Sequence, residues 1–367
     1  MLLLTPGPVQ TDPRTRAAMA VDIAPWDMEF RAEYAAIRET VTAIAGGVPG
    51  VHATLPLQGA GHFIMEAAIR TFVPEGGAYL VPMNGTYAGR IERLGREAGR
   101  RPIPVSVPDT RGVTAAEAEA ALAAHPEASH WVMVYSETGT GIVNDPAAIG
   151  PVVRAAGRRM ILDAVSAFGA LPFTLSEHPE VDAVAFTSNK CLEGMPGIGF
   201  AVCPVDRVRE RAGKANSWSF DLGDVLLHAE RAGWGSYRFT PPVQALHAFG
   251  VAMGLYEAEG GQPARLARYR ENLRILIEGA TALGLEPYLD AEHQGPIIAT
   301  FRQPPGFDLQ GFVDALKRRG VLISNFYTTE QPTIRIGCIG AVTPDQMRGA
   351  VVAMGEALAE LGVRRAA

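Results

Sequence analysis

The chain has 367 residues, 47% of them hydrophobic and 20% charged, with a formal net charge of −6. That length and balance predict a soluble globular protein of about two domains with a large core. The negative charge and the lack of long basic runs argue against a nucleic-acid partner, and no stretch nears the roughly 20 apolar residues of a membrane span.

The first residues, Met1-Leu2-Leu3-Leu4, are apolar but stop at Thr5-Pro6-Gly7-Pro8, too soon for a signal peptide. A turn at Gly59-Ala60-Gly61-His62 follows Leu55-Pro56-Leu57-Gln58 and precedes a helix expected over 63–72. Backbone N–H groups at such a helix start suit an anion, and small residues let a phosphate come close. No Ser or Thr stands between these glycines, so backbone donors must do the holding. Short apolar runs at 78–81, 131–135, 160–162, 181–186 and 198–203 read as buried strands. Helices are expected between them, among them 114–124 and 146–156. This alternation predicts an α/β fold with a mainly parallel sheet and a site beyond the carboxyl ends of its strands.

Several polar turns sit at those ends. Asn84-Gly85-Thr86-Tyr87-Ala88-Gly89-Arg90 carries an aromatic, Tyr87, able to stack on a planar ligand or simply to pack under the turn. Ser136-Glu137-Thr138-Gly139-Thr140-Gly141 offers hydroxyls at Thr138 and Thr140. Asp163 closes Ile161-Leu162-Asp163, with Val165 two residues on. Lys190 lies in Ser188-Asn189-Lys190-Cys191, after a strand and before the bend Gly194-Met195-Pro196-Gly197. A lone lysine there is most often a surface residue, and a lone aspartate a turn cap. Together they match the needs of Schiff-base chemistry on pyridoxal 5'-phosphate (PLP): a preset amine, and a carboxylate that keeps the pyridine nitrogen protonated.

The aromatic, irregular segment 234–242 marks a shift in composition. Beyond it come helices expected over 243–259 and 263–283, then strand, helix, strand, strand over 297–301, 311–319, 321–324 and 333–337, and a last helix over 344–361. Arg335 falls between two isoleucines of a strand, where its charge needs an anionic partner: a salt bridge or a bound anion. The cysteines Cys191, Cys203 and Cys338 form neither metal-ligand spacing nor a disulfide framework, so no metal is expected and a reducing cytoplasm is.

These motifs resemble the class V, fold type I PLP-dependent aminotransferases. The resemblance runs from Leu3 to about Met354 and rests on Leu4-Thr5-Pro6-Gly7-Pro8, the Asn84 and Ser136 turns, Asp163, Lys190 and Arg335-Ile336-Gly337. It implies a large domain, 15–245, with a mainly parallel seven-stranded sheet, and a smaller C-terminal α+β domain, 246–367. Segment 1–14 would lie at the active site. The resemblance further implies a homodimer in which Lys190 links to PLP, Asp163 meets the ring nitrogen, and Tyr87 and Val165 pack on the ring. Backbone at Ala60, Gly61 and His62 would hold the phosphate, with Asn189, Thr138 and Thr140 nearby and Thr240 reaching in from the partner subunit. Arg335 and Gly7 would face the substrate.

Within the family, Ser188-Asn189-Lys190-Cys191, Phe168-Gly169, Arg238-Phe239-Thr240 and Trp26-Asp27 are similar to the branch that moves the amino group of 2-aminoethylphosphonate to pyruvate. The alanine–glyoxylate and serine–pyruvate branch, the alternative, typically has Gln at the place of Asn189. Three features depart from the family pattern: Gly139 where Ser or Thr is usual, Asn325-Phe326-Tyr327 in place of a Pro-Gly-Lys turn, and Ala24-Pro25 before Trp26.

Overall fold

The computed structural model describes residues 1–363. A two-residue strand β1 (Leu2–Leu3) and a short helix α1 (Pro13–Ala17) lead to the long helix α2 (Met28–Ile44). Strands and helices then alternate: β2 (His52–Gln58), α3 (Gly61–Phe72), β3 (Ala78–Met83), α4 (Thr86–Glu97), β4 (Arg101–Ser106), α5 (Ala115–Ala124), β5 (Ala128–Val134), α6 (Pro146–Ala155), β6 (Arg159–Asp163), β7 (Val181–Thr187) and β8 (Ile198–Pro204). Strands β2 to β8 form one seven-stranded sheet in the order β2-β8-β7-β6-β5-β3-β4. Only β8 runs against its neighbours, β2 and β7.

The strands are covered on both faces, which is why their sequences lack polar alternation. Along β7 the side chains still alternate: Val184 and Phe186 enter the layer shared with α2 and α9, while Ala183 and Ala185 face the layer shared with α3 and α8. Helix boundaries follow ordinary capping chemistry. Thr114 and Glu117 form a capping box at α5, and Asp145 caps α6 with Pro146 in its first turn.

After β8 come α7 (Val205–Arg211), α8 (Leu222–Ala232), α9 (Val243–Glu259) and α10 (Gly261–Ala282). The last part holds β9 (Ile298–Arg302), α11 (Leu309–Arg318), β10 (Val321–Leu322), β11 (Thr333–Gly337) and α12 (Pro344–Glu360). β11 pairs antiparallel with β9 under α10, α11 and α12, around a separate apolar cluster that includes Phe301, Phe312 and Ile336. The strand expected over 321–324 is shorter and differently placed. Only Val321 and Leu322 are extended, and they pair in parallel with Leu2 and Leu3. The N-terminal segment thereby becomes part of the C-terminal layer. It is anchored again where Gly337 N–H donates to Leu4 O at 2.8 Å.

Candidate active site

Segments that follow the carboxyl ends of β2, β3, β6 and β7 converge on a cavity of about 300 Å³. Its walls include Gly7, Ala60, Gly61, His62, Tyr87, Asp163, Val165, Asn189 and Lys190. Nine of the residues singled out in the sequence are thus brought together, from segments spread over half the chain. A roomier groove of about 850 Å³ along α2 contains no lysine and so no lysine–acid pair.

Lys190 is held from both sides. Its Nζ donates to Pro6 O at 2.7 Å, so the N-terminal segment crosses directly over the amine. Gly7 permits that approach. Its φ is +139°, and a Cβ there would sit 2.6 Å from Lys190 Cδ and Cε. On the other side the chain turns sharply. Glu193 N–H donates to Lys190 O, Gly194 N–H donates to Ser188 O, and Ser188 Oγ donates to Met195 O at 2.5 Å. The turn places Glu193 in the left-handed region, at φ 56°, which is unusual for a side chain of its size. Helix α10 secures it: Arg268 and Tyr269 donate to the Glu193 carboxylate at 2.8 and 2.7 Å. Arg265 donates to the neighbouring Cys191 carbonyl.

Burial, aided by Arg335, pulls the Lys190 amine down to about 8 against the opposing influence of Cys191 and Asp163. Asp163, also buried, is pushed up to about 6 by desolvation. The Val165 N–H donates to its Oδ1 at 2.9 Å and opposes that rise. An amine and an acid with pKa values moved towards one another in one hollow is the electrostatic signature expected of a reaction centre.

The cavity walls are otherwise of two kinds. At one end α3 starts at Ala60 with no side-chain cap, so the first backbone N–H groups of the helix have no side-chain acceptor. A Cβ on Gly61 would meet Val165 Cγ2 at 2.9 Å, so only glycine lets this turn close on the β6 loop. The Thr187 hydroxyl, buried nearby on the cavity wall, has no hydrogen-bond partner. At the other end α4 presents Tyr87, Arg90, Ile91 and Leu94 on one face.

Four predicted residues are not on these walls. Thr138 and Thr140 are buried elsewhere: the Thr138 carbonyl accepts from Arg335 Nη1 at 3.1 Å, and Thr140 O accepts from Thr300 at 2.7 Å. Thr240 is exposed. Arg335, buried in β11, makes no ion pair among the described residues; its Nε has no partner and the Phe326 ring lies 4.6 Å from its Cζ. Burial lowers its pKa, and the Tyr87 phenol close by partly offsets this.

Sequence reasoning missed Glu137, Arg90 and Thr187. The buried Glu137 carboxylate accepts the Tyr87 N–H at 2.8 Å and so caps α4, whose own N-cap is a glycine. Burial pushes Glu137 up to about 7. An acid inside an otherwise uncharged turn was the available signal. For Arg90 it was the spacing of one helical turn from Tyr87, and for Thr187 its place beside Ser188 and Lys190.

The three cysteines carry no accessible thiolate: all are buried, and burial pushes Cys191 up to about 12. No helix among the described residues is long and apolar enough to cross a membrane.

A parallel-sheet α/β chain with a buried lysine facing a buried acid at the strand ends has the architecture of a fold type I transferase. Residues 21–325 match the family described as aminotransferase class-V, and the chain belongs to that family. Similar proteins include 2-aminoethylphosphonate--pyruvate transaminase 2 of Burkholderia lata, 42% identical over 99% of this chain and 96% of that one. The 2-aminoethylphosphonate--pyruvate transaminase of Pseudomonas putida strain W619 is 40% identical, over 99% and 98%. Among solved structures, alanine--glyoxylate aminotransferase from Nostoc sp. superposes with a TM-score of 0.88 over 97% of this chain and 95% of that one, at 23% identity. At that identity the likeness speaks for the fold.

Proposed function

We propose that the chain binds PLP in this cavity and transfers the amino group of 2-aminoethylphosphonate to pyruvate, releasing phosphonoacetaldehyde and L-alanine. One observation carries the chemistry: a buried lysine amine at the end of β7 shares a hollow with a buried carboxyl. The substrate pair follows from the names of relatives at 40–42% identity over nearly the whole chain.

The residues present fit the cofactor. The uncapped start of α3 and the unpartnered Thr187 hydroxyl supply donors for a phosphate, and Asp163 supplies an acid for a pyridine nitrogen. Backbone at Ala60, Gly61 and His62 would hold the phosphate; Tyr87 and Val165 would pack on the ring; Asn189 would line the same wall. Thr138 and Thr140, which do not line the cavity, would act by fixing the β5 loop rather than by touching the ring. Bound, the cofactor supplies an electron sink that makes the amine-bearing carbon of the substrate acidic.

The protein's part is to bind, orient and move a proton. Lys190 Nζ, drawn down to about 8, is neutral often enough near neutral pH to accept the substrate's carbon-bound proton, and would hand it on to a different carbon rather than return it to the one it left. Pro6 O aims the amine by accepting its N–H. Asp163, drawn up to about 6, is ionised at neutral pH and favours a protonated ring nitrogen. Arg335 holds the anionic end of each substrate in turn, through a guanidinium that has no carboxylate partner among the described residues.

The same reading makes the chain a homodimer. Trp218 and Phe239 are 69% and 52% exposed and meet edge to face at 5.0 Å, directly beside Thr240. An exposed aromatic pair of this size favours a protein partner and suits a Thr240 that reaches the neighbouring subunit's phosphate site. Three buried free cysteines suit a cytoplasmic enzyme. The division into a large domain, 15–245, and a small one, 246–367, is part of the proposal and accords with the separate apolar cluster under α10 to α12.

The test is turnover of the purified holoenzyme with an amine panel. Alanine should form from pyruvate with 2-aminoethylphosphonate as the preferred donor, and Lys190→Ala should form none. Faster turnover of alanine with glyoxylate, or of serine with pyruvate, would move the chain to the other branch. Full turnover by Lys190→Ala would overturn the mechanism.

A further inference from the structure

The two substrates proposed above end in different anions. Pyruvate ends in a carboxylate with one charge. A phosphonate, like a phosphate monoester, carries more than one charge near neutral pH, spread over three oxygens. Arg335 is poorly equipped to meet the second anion alone. Its Nη1 is engaged by Thr138 O at 3.1 Å, its Nη2 faces Ser324 Oγ at 3.4 Å, and Phe326 covers one face of the guanidinium. Nε is the buried nitrogen left without a partner.

A second cation stands in the cavity wall. Arg90 lies one turn after Tyr87 on α4, and its Cζ is 4.6 Å from the centroid of the Tyr87 ring. The helix gives it no acid. Arg93 pairs with Glu97 and Arg96 with Glu92, but the positions three and four residues from Arg90 are Thr86, Tyr87, Arg93 and Leu94. Arg90 makes no ion pair or hydrogen bond to any described residue. Its charge is felt at Lys190, Arg335 and the buried acids Asp163 and Glu137 alike, so it lies within electrostatic reach of the amine and of the anion-binding guanidinium, although neither acid is paired with it.

We propose that Arg90 is a specificity-determining residue: it takes the second charge of the donor's phosphonate, and the reaction with pyruvate does not need it. The inference rests on the proposed donor. A guanidinium with its fork of donors free matches a phosphorus oxyanion in charge and geometry, whereas a single carboxylate is already neutralised by Arg335. The cofactor phosphate is another phosphorus oxyanion that would enter the same cavity, so the experiment must separate the two.

Arg90→Gln and Arg90→Lys holoenzymes are compared with wild type in the two half-reactions, measured separately by stopped flow. PLP dissociation is measured by equilibrium dialysis. Losing a charged hydrogen-bonding group should lower kcat/KM for 2-aminoethylphosphonate about 10- to 100-fold in Arg90→Gln, mostly through KM. The pyruvate half-reaction should fall several-fold less than the phosphonate one, and PLP affinity should be essentially unchanged. Arg90→Lys should recover part of the loss, since it restores charge without the fork. Equal losses in both half-reactions, weakened PLP binding, or an unaffected phosphonate half-reaction each overturn the assignment. A wild-type enzyme inert to 2-aminoethylphosphonate but active with another amine overturns the donor, and this inference with it, before any variant is made.

Discussion

Replacing Lys190 by Met should make the cofactor-free protein more stable while ending catalysis. The side chain is buried, and its amine is drawn from 10.5 down to about 8. Each pKa unit corresponds to about 1.4 kcal/mol, so holding this amine protonated in the fold costs roughly 3 kcal/mol at pH 7. Methionine keeps the apolar stem and removes the charge. It also removes the bond to Pro6 O, worth about 1 kcal/mol, which leaves a net gain near 2 kcal/mol. The pH dependence has a definite sign. Between about 8 and 10.5 the unfolded lysine binds more protons than the folded one, so wild-type stability climbs with pH across that window. At pH 9.5 about one unit of penalty remains, which the lost hydrogen bond roughly offsets, so the two proteins should then be equally stable. Urea unfolding of both cofactor-free proteins at pH 7 and pH 9.5 measures this. A Lys190→Met protein that is weaker than wild type at pH 7, or a gap that does not shrink with pH, refutes the reasoning that this amine is held in a low-dielectric site against its preference. A stabilised but inactive variant is what a functional residue in a costly position should yield.

Asp163→Asn tests the other half of the pair. The folded acid binds more protons than the unfolded one between 3.8 and about 6, so its contribution favours the fold at low pH and is lost as pH rises through that window. Asn should therefore match wild type near pH 4 and exceed it by about 2–3 kcal/mol at pH 7 in cofactor-free urea melts, while kcat falls about 100-fold or more; unchanged kcat would separate Asp163 from the chemistry. Gly7→Ala should lower kcat at least about tenfold, because its Cβ would strike the Lys190 stem and its φ of +139° costs an alanine roughly 1–3 kcal/mol. Normal turnover in that variant would show that the N-terminal segment does not position the amine.

The elements nearest the chemistry were legible in the sequence because each carries a local signal. Unbroken apolar runs at 181–186 and 198–203 mark strands covered on both faces, and the polar turns after them mark strand ends. Lys190 and Asp163 stand at such ends, and a parallel sheet brings its carboxyl ends together whatever the loops do. The starts of the helices expected at 114 and 146 were visible for the same reason, since residue spacing and a first-turn proline are local signals.

What the sequence by itself determined, then, is the alternation of strands and helices through the middle of the sheet and the C-terminal part, though not α2, β4, α7 or α8, together with the lysine and its acid and the glycine-rich turn at the start of α3. Tertiary structure alone decided that Pro6 O would meet Lys190 Nζ, that Val321 and Leu322 would pair with the chain's first residues, and that Glu137 would cap α4 from the loop after β5. It also kept Thr138 and Thr140 off the cavity wall and left Arg90 without an ion pair among the described residues. These contacts join residues as far apart as Leu2 and Val321, so no local pattern encodes them. They are set by which surfaces remain to be buried, and which polar groups remain to be paired, once the sheet has formed.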